Sequence, residues 1–248
     1  MAHDFGKNHA LAVRCRQGRG GERIPSGPMC SHYQSIKEAA RLEKYFGVAP
    51  PSAPVVDDVW PGYSATFIRA GAGDERTSHA GRFGLVPHWA QDATMGRKTY
   101  NARSETVADK PAYRDAWARA QHCIIPAECF FEPDWRSGRA LPAAISLAHG
   151  EPMGIAGLWA QWRDPQGALV QSFTMLTINA DDHAFMRQFH RPEDEKRSVV
   201  ILPPERWDDW LAADAANSAP FLIPFPAQDL VATVDAPPPA PRTLSLFD

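Results

Sequence analysis

Apolar residues repeat at helical spacing between residues 35 and 47. The apolar positions are Ile36, Ala39, Leu42 and Phe46. Side chains spaced three or four residues apart form one face of a helix, so this pattern predicts an amphipathic helix. Ser35 and Glu38 have the spacing of a capping box at its start, and Gly47 suits the left-handed cap that ends it.

Three further segments carry residues that suit the first turn of a helix. Pro111 and Pro204 match the preference of proline for the first helical position. Asp181 or Asp182 offers a side-chain oxygen to the free backbone N–H groups of a third segment. The predicted helices span 110–120, 204–213 and the segment from Asp181 or Asp182 to Phe189.

Most of the remaining apolar runs are short and predict β-strands. They cover 64–70, 81–87, 122–132, 141–148, 153–162, 169–178 and 198–202. Few helical patterns separate these runs, which favours antiparallel pairing over β-α-β units. We therefore expect the α+β class, with a mostly antiparallel, barrel-like sheet and peripheral helices.

The two ends of the chain differ from its middle. Residues 1–28 contain five glycines and few large apolar residues in no regular period, which predicts a disordered extension. Residues 236–248 form a Pro-rich tail that starts as a stiff polyproline-type linker. No linker divides the residues between them, so one domain is expected over 29–235. Because Met29 stands at the junction, we interpret the extension as a mis-called start or a pro-segment.

Composition and charge narrow the class of protein. With 44% hydrophobic and 22% charged residues, the chain has the material for a folded core. Its net charge of −3 gives no global attraction to nucleic acid, so DNA binding would have to rest on a local groove. No apolar run approaches the ~18 residues of a membrane span. The four cysteines lack zinc spacing, and we expect a reduced, cytoplasmic protein with no metal and no cofactor.

Cys30 is the first residue with distinctive chemistry. If translation starts at Met29 and the methionine is removed, Cys30 carries a free α-amine and a thiol on adjacent carbons. With an aldehyde, the amine forms a Schiff base and the thiol closes a thiazolidine ring. The alternative is an ordinary, half-buried cysteine inside a long N-terminus.

Three other segments hold polar groups that suit chemistry, and each also has a plainer interpretation. Residues 100–106 combine amide, guanidinium, hydroxyl and carboxylate groups, which suits phosphate or sugar binding as well as a helix-capping loop. Glu132 follows two phenylalanines, so either its pKa rises in apolar surroundings or it faces water at a strand end. His190 ends a predicted helix, where it is an acid, a base or a helix cap.

In order along the chain, these segments resemble the SOS response-associated peptidase (SRAP) family. The matching segments are Met29-Cys30, Pro61-Gly62, Phe83-Gly-Leu-Val-Pro-His-Trp89, Asn101-Ala-Arg-Ser-Glu-Thr106, Phe130-Phe-Glu-Pro133, and His190 before Val199-Val-Ile-Leu202. Asn-Ala-Arg-x-Glu-Thr is the most specific match, and the resemblance covers 29–235. It implies the SRAP fold and the family's activity, which is to shield abasic sites in single-stranded DNA during the DNA damage (SOS) response.

The resemblance implies a role for each matching residue. Cys30 would trap the ring-opened abasic aldehyde, Glu132 would shuttle protons, and His190 would stabilise the Schiff base or the released sugar hydroxyl. Asn101 would hold the N-terminal segment and the substrate in place. The implied DNA-binding residues are Arg103, Trp89, Pro61 and Arg197. The family name adds a peptidase activity, the autoproteolytic removal of whatever precedes the cysteine.

Two departures from the family pattern bear on this assignment. Ser31-His32 replaces the family's Gly-Arg after the cysteine, which removes one phosphate-binding arginine. The 1–28 extension, while attached, ties the α-nitrogen of Cys30 into an amide, so an inactive relative is a third interpretation of it.

The alternative function is a cysteine peptidase acting on proteins, with Cys30 as nucleophile and His190 as base. A nucleic-acid-binding module without chemistry is the remaining alternative.

The tail ends in Leu244-Ser-Leu-Phe247, which resembles the short peptide that docks bacterial replication and repair proteins on the sliding clamp. Its predicted anchors are Leu244, Leu246 and Phe247. A frayed tail that folds back on the core is the alternative. The expected partners are therefore abasic single-stranded DNA and this clamp, without a membrane. We expect a monomer in the cytoplasm, associated with the bacterial nucleoid.

Overall fold

The computed structural model describes residues 31–73 and 75–234. Three predictions fall on residues outside that range: the disordered extension 1–28, the nucleophile Cys30, and the clamp-binding peptide in the tail 236–248. None of the helices in the described part is long and apolar enough to cross a lipid bilayer.

The described chain forms one 12-stranded sheet with short helices around it. The strands are β1 (His32–Ser35), β2 (Asp58–Val59), β3 (Ser64–Ala70), β4 (Arg76–Phe83), β5 (Asn101–Arg103), β6 (His122–Asp134), β7 (Leu141–Leu147), β8 (Met153–Arg163), β9 (Leu169–Asn179), β10 (Arg197–Val199), β11 (Ile201–Leu202) and β12 (Leu230–Val234). The α-helices are α1 (Ala39–Phe46), α2 (Arg114–Ala118) and α3 (Trp207–Ala212). The 3₁₀ segments are Ala93–Lys98, Met186–Gln188, Pro204–Arg206, Ala215–Asn217, Ala219–Phe221 and Ala227–Asp229.

Five of the strands close into a barrel. Strand β6 pairs with β8, β8 with β9, β9 with β4 and β4 with β3, and β3 returns to β6 through the pair Ile68–Ile124. All pairings are antiparallel except those of β4 and β5 with β9. The predicted α+β class with a mostly antiparallel, barrel-like sheet is therefore confirmed.

The long strands are continuous apolar runs in the sequence, because apolar side chains pack against both faces of the sheet. Inside the barrel, the rings of Phe67, Phe83 and Phe173 pack against one another. On the outside, Phe46 of α1 stacks on Trp207 of α3 with ring centroids 4.4 Å apart. The two apolar layers fix the position of β6, which carries the candidate site at its far end.

The predicted capping box is wrong. Ser35 is the last residue of β1, and its Oγ donates a hydrogen bond to the carbonyl oxygen of Pro126 at 3.2 Å. Helix α1 therefore begins at Ala39, after Glu38, without a side-chain cap. Its end is as predicted, since Gly47 adopts a left-handed φ of 69° and its N–H closes the last turn.

The predicted helix from Asp181 or Asp182 to Phe189 is also wrong, because only Met186–Gln188 forms a 3₁₀ turn there. The carboxylate of Asp181 accepts a hydrogen bond from the backbone N–H of Lys196 at 2.8 Å, so it braces the start of β10 and caps no helix. Local side-chain bonding of this kind competes with helix formation.

The other predicted elements differ from the structure mainly at their ends. Only Arg114–Ala118 is helical within 110–120, whereas 204–213 contains a 3₁₀ turn followed by α3, close to the prediction. Strand β4 ends at Phe83, well short of the end of the predicted strand 81–87, because Gly84 turns the chain with a φ of 111°.

Candidate functional site

Strand β6 brings Glu132 to the edge of the barrel, where β6 pairs with β7. Glu132 lies opposite Ala143 and stands between Phe131 and Pro133 in the sequence. Its side chain is only 1% exposed. A carboxylate in such surroundings is costly unless another group compensates its charge.

The backbone of β6 also holds His190 beside Glu132. The N–H of His190 donates a hydrogen bond to the carbonyl oxygen of Pro133 at 2.9 Å, and Phe189 forms an isolated bridge with Asp134. His190 itself has a φ of 63°, in the left-handed region that L-residues rarely adopt. Strain of this kind persists only where the surrounding structure enforces it, and it is frequent at functional positions.

Glu132 and His190 form a buried acid–base pair. Oε2 of Glu132 and Nε2 of His190 are 3.0 Å apart, and the two side chains are 1% and 2% exposed. The contact is not aligned as a hydrogen bond, and Nδ1 of His190 has no hydrogen-bond partner in the described part of the chain. Since buried polar atoms are nearly always satisfied, these atoms are candidates for contact with a substrate.

The charge of Glu132 controls the protonation of His190. Burial acts to lower the pKa of the imidazole, but the negative charge of Glu132 and its close approach outweigh burial and raise the pKa above 6.5. Protonated His190 therefore stabilises the fold below pH 6.5, and this contribution is lost as the pH rises through the folded-state pKa. His190 can thus hold a proton near neutral pH.

We expect Glu132→Gln to lower the pKa of His190. The substitution removes the charge that raises the pKa and keeps the burial that lowers it. Titration of the imidazole resonances by NMR measures the shift directly. The exposed His149 is the internal control, because it lies far from the substitution in sequence and pairs with Glu151. An unchanged pKa of His190 would contradict the coupling.

Strand β1 leads the chain into this site. His32 pairs with Phe131 and Tyr33 pairs with Phe130, so the same register sets Ser31 level with Glu132. Cys30 precedes Ser31 in the sequence and lies outside the described residues. The described chain therefore enters the site directly after the predicted nucleophile.

An aromatic stack fixes the beginning of β1. The ring of His32 lies between those of Trp60 and Phe131, with centroids 4.1 Å from each and interplanar angles of 9° and 8°. Nε2 of His32 also bonds the carboxylate of Asp58 on the neighbouring strand β2. Burial lowers the pKa of His32, although Asp58 acts to raise it. The lowered pKa favours the neutral imidazole, and the neutral ring is the form that stacks between Trp60 and Phe131.

The sequence did not identify this stack as part of the site. His32 and Phe131 are far apart in the chain, and only the register of β1 against β6 brings them together. The available signal was the departure from the family pattern at Ser31-His32, combined with Trp60 directly before Pro61. The positions of His32, Trp60 and Phe131 in the sequence do not by themselves predict that their rings stack.

The Asn-Ala-Arg-Ser-Glu-Thr segment is held by β9. Strand β5 runs parallel to β9, with Asn101 opposite Met175. Asn101 is 7% exposed, and its carbonyl oxygen accepts a hydrogen bond from the Tyr113 hydroxyl at 2.9 Å. Arg103, two residues later, is exposed and lies 3.1 Å from Glu195. The segment therefore places the side-chain amide of Asn101 in the interior of the protein and the guanidinium of Arg103 at the surface.

Arg197 is a buried residue rather than a surface one. It is 2% exposed and donates two hydrogen bonds of 2.9 Å to the carboxylate of Glu105, with further bonds to Glu195 and Thr177. An arginine that is occupied in this way has little surface left for a phosphate. The DNA contact of Arg197 stays a prediction.

Glu105→Gln should make the protein less stable near neutral pH and flatten its stability in acid. Partial burial acts to raise the pKa of Glu105, but the hydrogen bonds and charge of Arg197 outweigh it and lower the pKa from 4.5 to about 2. A lowered pKa contributes stability above pH 4.5 that is lost as the pH falls towards 2. Urea unfolding at several pH values measures this, with the exposed Glu205→Gln as control. Parallel curves for wild type and Glu105→Gln would refute the coupling.

Two further predicted DNA contacts lie where a ligand can reach them. Trp89 is 45% exposed, whereas three of the other seven tryptophans are buried and four are half-buried. Pro61 is half-buried and directly follows Trp60 of the aromatic stack. Their roles, like that of Arg103, stay predictions. Among residues 31–73 and 75–234, no group of three or more His, Cys, Asp or Glu side chains is placed to hold a metal ion.

Comparison with known proteins identifies the family of this chain. The profile of the SOS response associated peptidase (SRAP) family matches residues 29–235. The chain belongs to this family. A crystal structure of a Bordetella bronchiseptica protein has 48% sequence identity and a TM-score of 0.79, covering 84% of this chain and 100% of that one.

Two curated relatives carry names that refer to abasic sites. Abasic site processing protein YoaM of Bacillus subtilis (strain 168) is 34% identical over 159 residues, which are 61% of this chain and 65% of YoaM. Abasic site processing protein HMCES of Gallus gallus is 25% identical over 165 residues, which are 58% of this chain and 48% of HMCES. The matches thus span under two thirds of YoaM and about half of HMCES.

Proposed function

We propose that this SRAP-family protein captures abasic sites in single-stranded DNA as a covalent adduct of Cys30, within the DNA damage response. The observation that supports it best is the buried pair of Glu132 and His190, which lies where β1 enters the site directly after Cys30. The names of YoaM and HMCES support the same class of substrate.

The reaction requires only the two nucleophiles of Cys30 and the sugar of the abasic site. The closed sugar first opens to its aldehyde. The neutral α-amine attacks the aldehyde carbon, and loss of one water gives a Schiff base. The thiol then adds to the same carbon, its proton passes to the nitrogen, and a five-membered thiazolidine closes. Nothing is oxidised or reduced in these steps.

Glu132 and His190 supply the proton transfers. Ring opening moves a proton from the anomeric hydroxyl to the ring oxygen, and Schiff-base formation expels a hydroxyl as water. The carboxylate of Glu132 accepts a proton, while protonated His190 stabilises the released sugar hydroxyl or donates to the leaving oxygen. Their separation of 3.0 Å lets the pair return to its starting protonation state after each step.

The other residues of the site hold the strand and the nucleophile. Trp89 offers an exposed ring for a neighbouring base, and Arg103 and Pro61 face the DNA backbone. Asn101, anchored by Tyr113, positions the N-terminal segment. Because Arg197 is buried, it acts as a positioning residue that holds the Asn-Ala-Arg-Ser-Glu-Thr segment against β9.

The test mixes a chain that begins at Met29 with single-stranded DNA carrying one abasic site. A band that survives a denaturing gel, and that Cys30→Ala abolishes, is the expected result. Cys123→Ala is the matched control, because Cys123 is a free, buried cysteine inside the barrel and its loss should leave the band in place. Absence of any band with the wild-type chain would refute covalent capture.

The full-length chain tests the state of the extension. An adduct formed by the full-length chain requires autoproteolytic removal of the residues before Cys30, which N-terminal sequencing detects. An adduct formed only by the chain beginning at Met29 favours a mis-called start. Cleavage of added protein substrates without any adduct would favour the alternative, a cysteine peptidase with Cys30 as nucleophile and His190 as base.

A further inference from the structure

Arg82 has no partner for its charge among residues 31–73 and 75–234. It lies next to the end of β4, level with Ser64 of β3 and Ser172 of β9, and its side chain is half-buried. Its Nε is fully buried without a hydrogen-bond partner, and the side chain forms no ion pair with any carboxylate of the described residues. Nε is its only nitrogen that is both buried and unsatisfied.

Every other buried or half-buried arginine in residues 31–73 and 75–234 has an acceptor. These arginines are Arg41 with Glu128, Arg69 with His79, Arg76 with Asp208, Arg197 with Glu105 and Glu195, and Arg206 with the carbonyl oxygen of Pro220. A guanidinium carries its charge at all accessible pH values, so partial burial without an acceptor is costly. Arg82 is therefore the one buried or half-buried arginine of the described residues that has no acceptor.

The surroundings of Arg82 connect it with the reactive site. A Cβ placed on Gly62 would lie 3.5 Å from Nη2 and 3.9 Å from Nε of Arg82. Gly62 has a φ of 95°, and its N–H donates a hydrogen bond of 2.6 Å to the carbonyl oxygen of Phe83. The turn that starts at Trp60 thus lies against the guanidinium, and the same Trp60 stacks on His32. The lack of a side chain at Gly62 leaves room beside the charge.

We propose that Arg82 and the turn at Gly62 form a binding site for one phosphate of the DNA strand next to the abasic site. This inference rests on the proposed function, since it assigns the anion to the same substrate. Phosphate oxygens match the donor geometry of a guanidinium, and a DNA strand supplies them without a further protein group.

The test measures binding of unmodified single-stranded DNA, so that it does not depend on adduct formation. Fluorescence anisotropy at several salt concentrations gives the affinity and its salt dependence. Arg82→Gln should weaken binding about 10-fold at low salt, the loss expected of one charge-assisted hydrogen bond. It should also reduce the salt slope by about 0.7, the value for one phosphate on a single strand. Arg82→Lys keeps the charge and should restore the slope.

Arg206→Gln is the matched control, because Arg206 is also half-buried but is bonded to Pro220, and it should bind like wild type. Wild-type affinity and slope in Arg82→Gln would overturn the inference while leaving the adduct chemistry intact. A lowered Tm with unchanged affinity would also overturn it, since that result indicates a structural role. If the wild-type chain binds no single-stranded DNA, the proposed function fails and this site fails with it.

Discussion

Glu132→Gln should slow adduct formation with abasic single-stranded DNA by about 10²–10⁴-fold, the usual contribution of a general acid or base. Glutamine has nearly the shape of glutamate, so the buried position stays filled. It cannot accept a proton from the sugar hydroxyl, and it no longer supports protonated His190 at a distance of 3.0 Å. Both effects act on the same proton transfers. Single-turnover kinetics on denaturing gels, with DNA in excess, measure the rate.

Glu128→Gln separates this chemical role from the mere loss of a buried carboxylate. Glu128 lies on the same strand and is 8% exposed, but its carboxylate is held by Arg41 at 2.6 and 2.9 Å, outside the pair with His190. Its substitution should lower the free energy of unfolding without slowing adduct formation by the folded protein. Equal rates for Glu132→Gln and wild type would show that the pair takes no part in the reaction.

The long strands were predictable because burial on both faces leaves a continuous apolar run. Strands β6, β8 and β9 each lie within one or two residues of the predicted ends. Strands β1 and β5 were not predicted as strands. They have only four and three residues, and each exists because a longer neighbour offers its free hydrogen-bonding edge. Such pairing is a tertiary effect that no local period records.

The candidate site was predictable residue by residue but not in its contacts. The resemblance selected Glu132 and His190, yet their approach depends on the hydrogen bond from His190 to Pro133 and on a φ of 63°. A helix was predicted to lead up to His190, but only Met186–Gln188 forms a 3₁₀ turn there. Arg197 was selected through the resemblance, and the sequence does not reveal that Glu105 accepts hydrogen bonds from its guanidinium.

The reactive site therefore depends on how firmly the barrel holds the segments around it. The aromatic stack at His32 fixes β1, while the pairing of β5 with β9 fixes Asn101. The segment between Gly84 and Asn101, which carries Trp89, has no long strand to hold it. Hydrogen bonds from Trp162 to the carbonyl oxygen of Ala90 and from the N–H of Val86 to Ser172 tie it to the barrel. The backbones of Gly84 and Gly96 also make a close contact there.

Gly84→Ala should cost about 3 kcal/mol or more of the free energy of unfolding, because both strain and overlap act there. A Cβ on Gly84 would lie 1.8 Å from the carbonyl oxygen of Gly96, and a φ of 111° is unfavourable for any L-residue. The neighbouring backbone cannot move away freely, since Leu85 and Thr99 hold it through hydrogen bonds of 3.1 and 2.6 Å. Urea unfolding monitored by circular dichroism measures the loss.

Gly150→Ala is the control that isolates the overlap from the conformational strain. Gly150 has a φ of 76°, but a Cβ there would meet nothing within 4 Å. The control should therefore cost only about 1–2 kcal/mol, the strain of a left-handed L-residue. If Gly84→Ala proved no more destabilising than Gly150→Ala, the backbone contact between Gly84 and Gly96 would not be what holds the segment that carries Trp89 to the barrel. A larger loss, together with weaker DNA binding by the folded fraction, would show that this contact also positions Trp89.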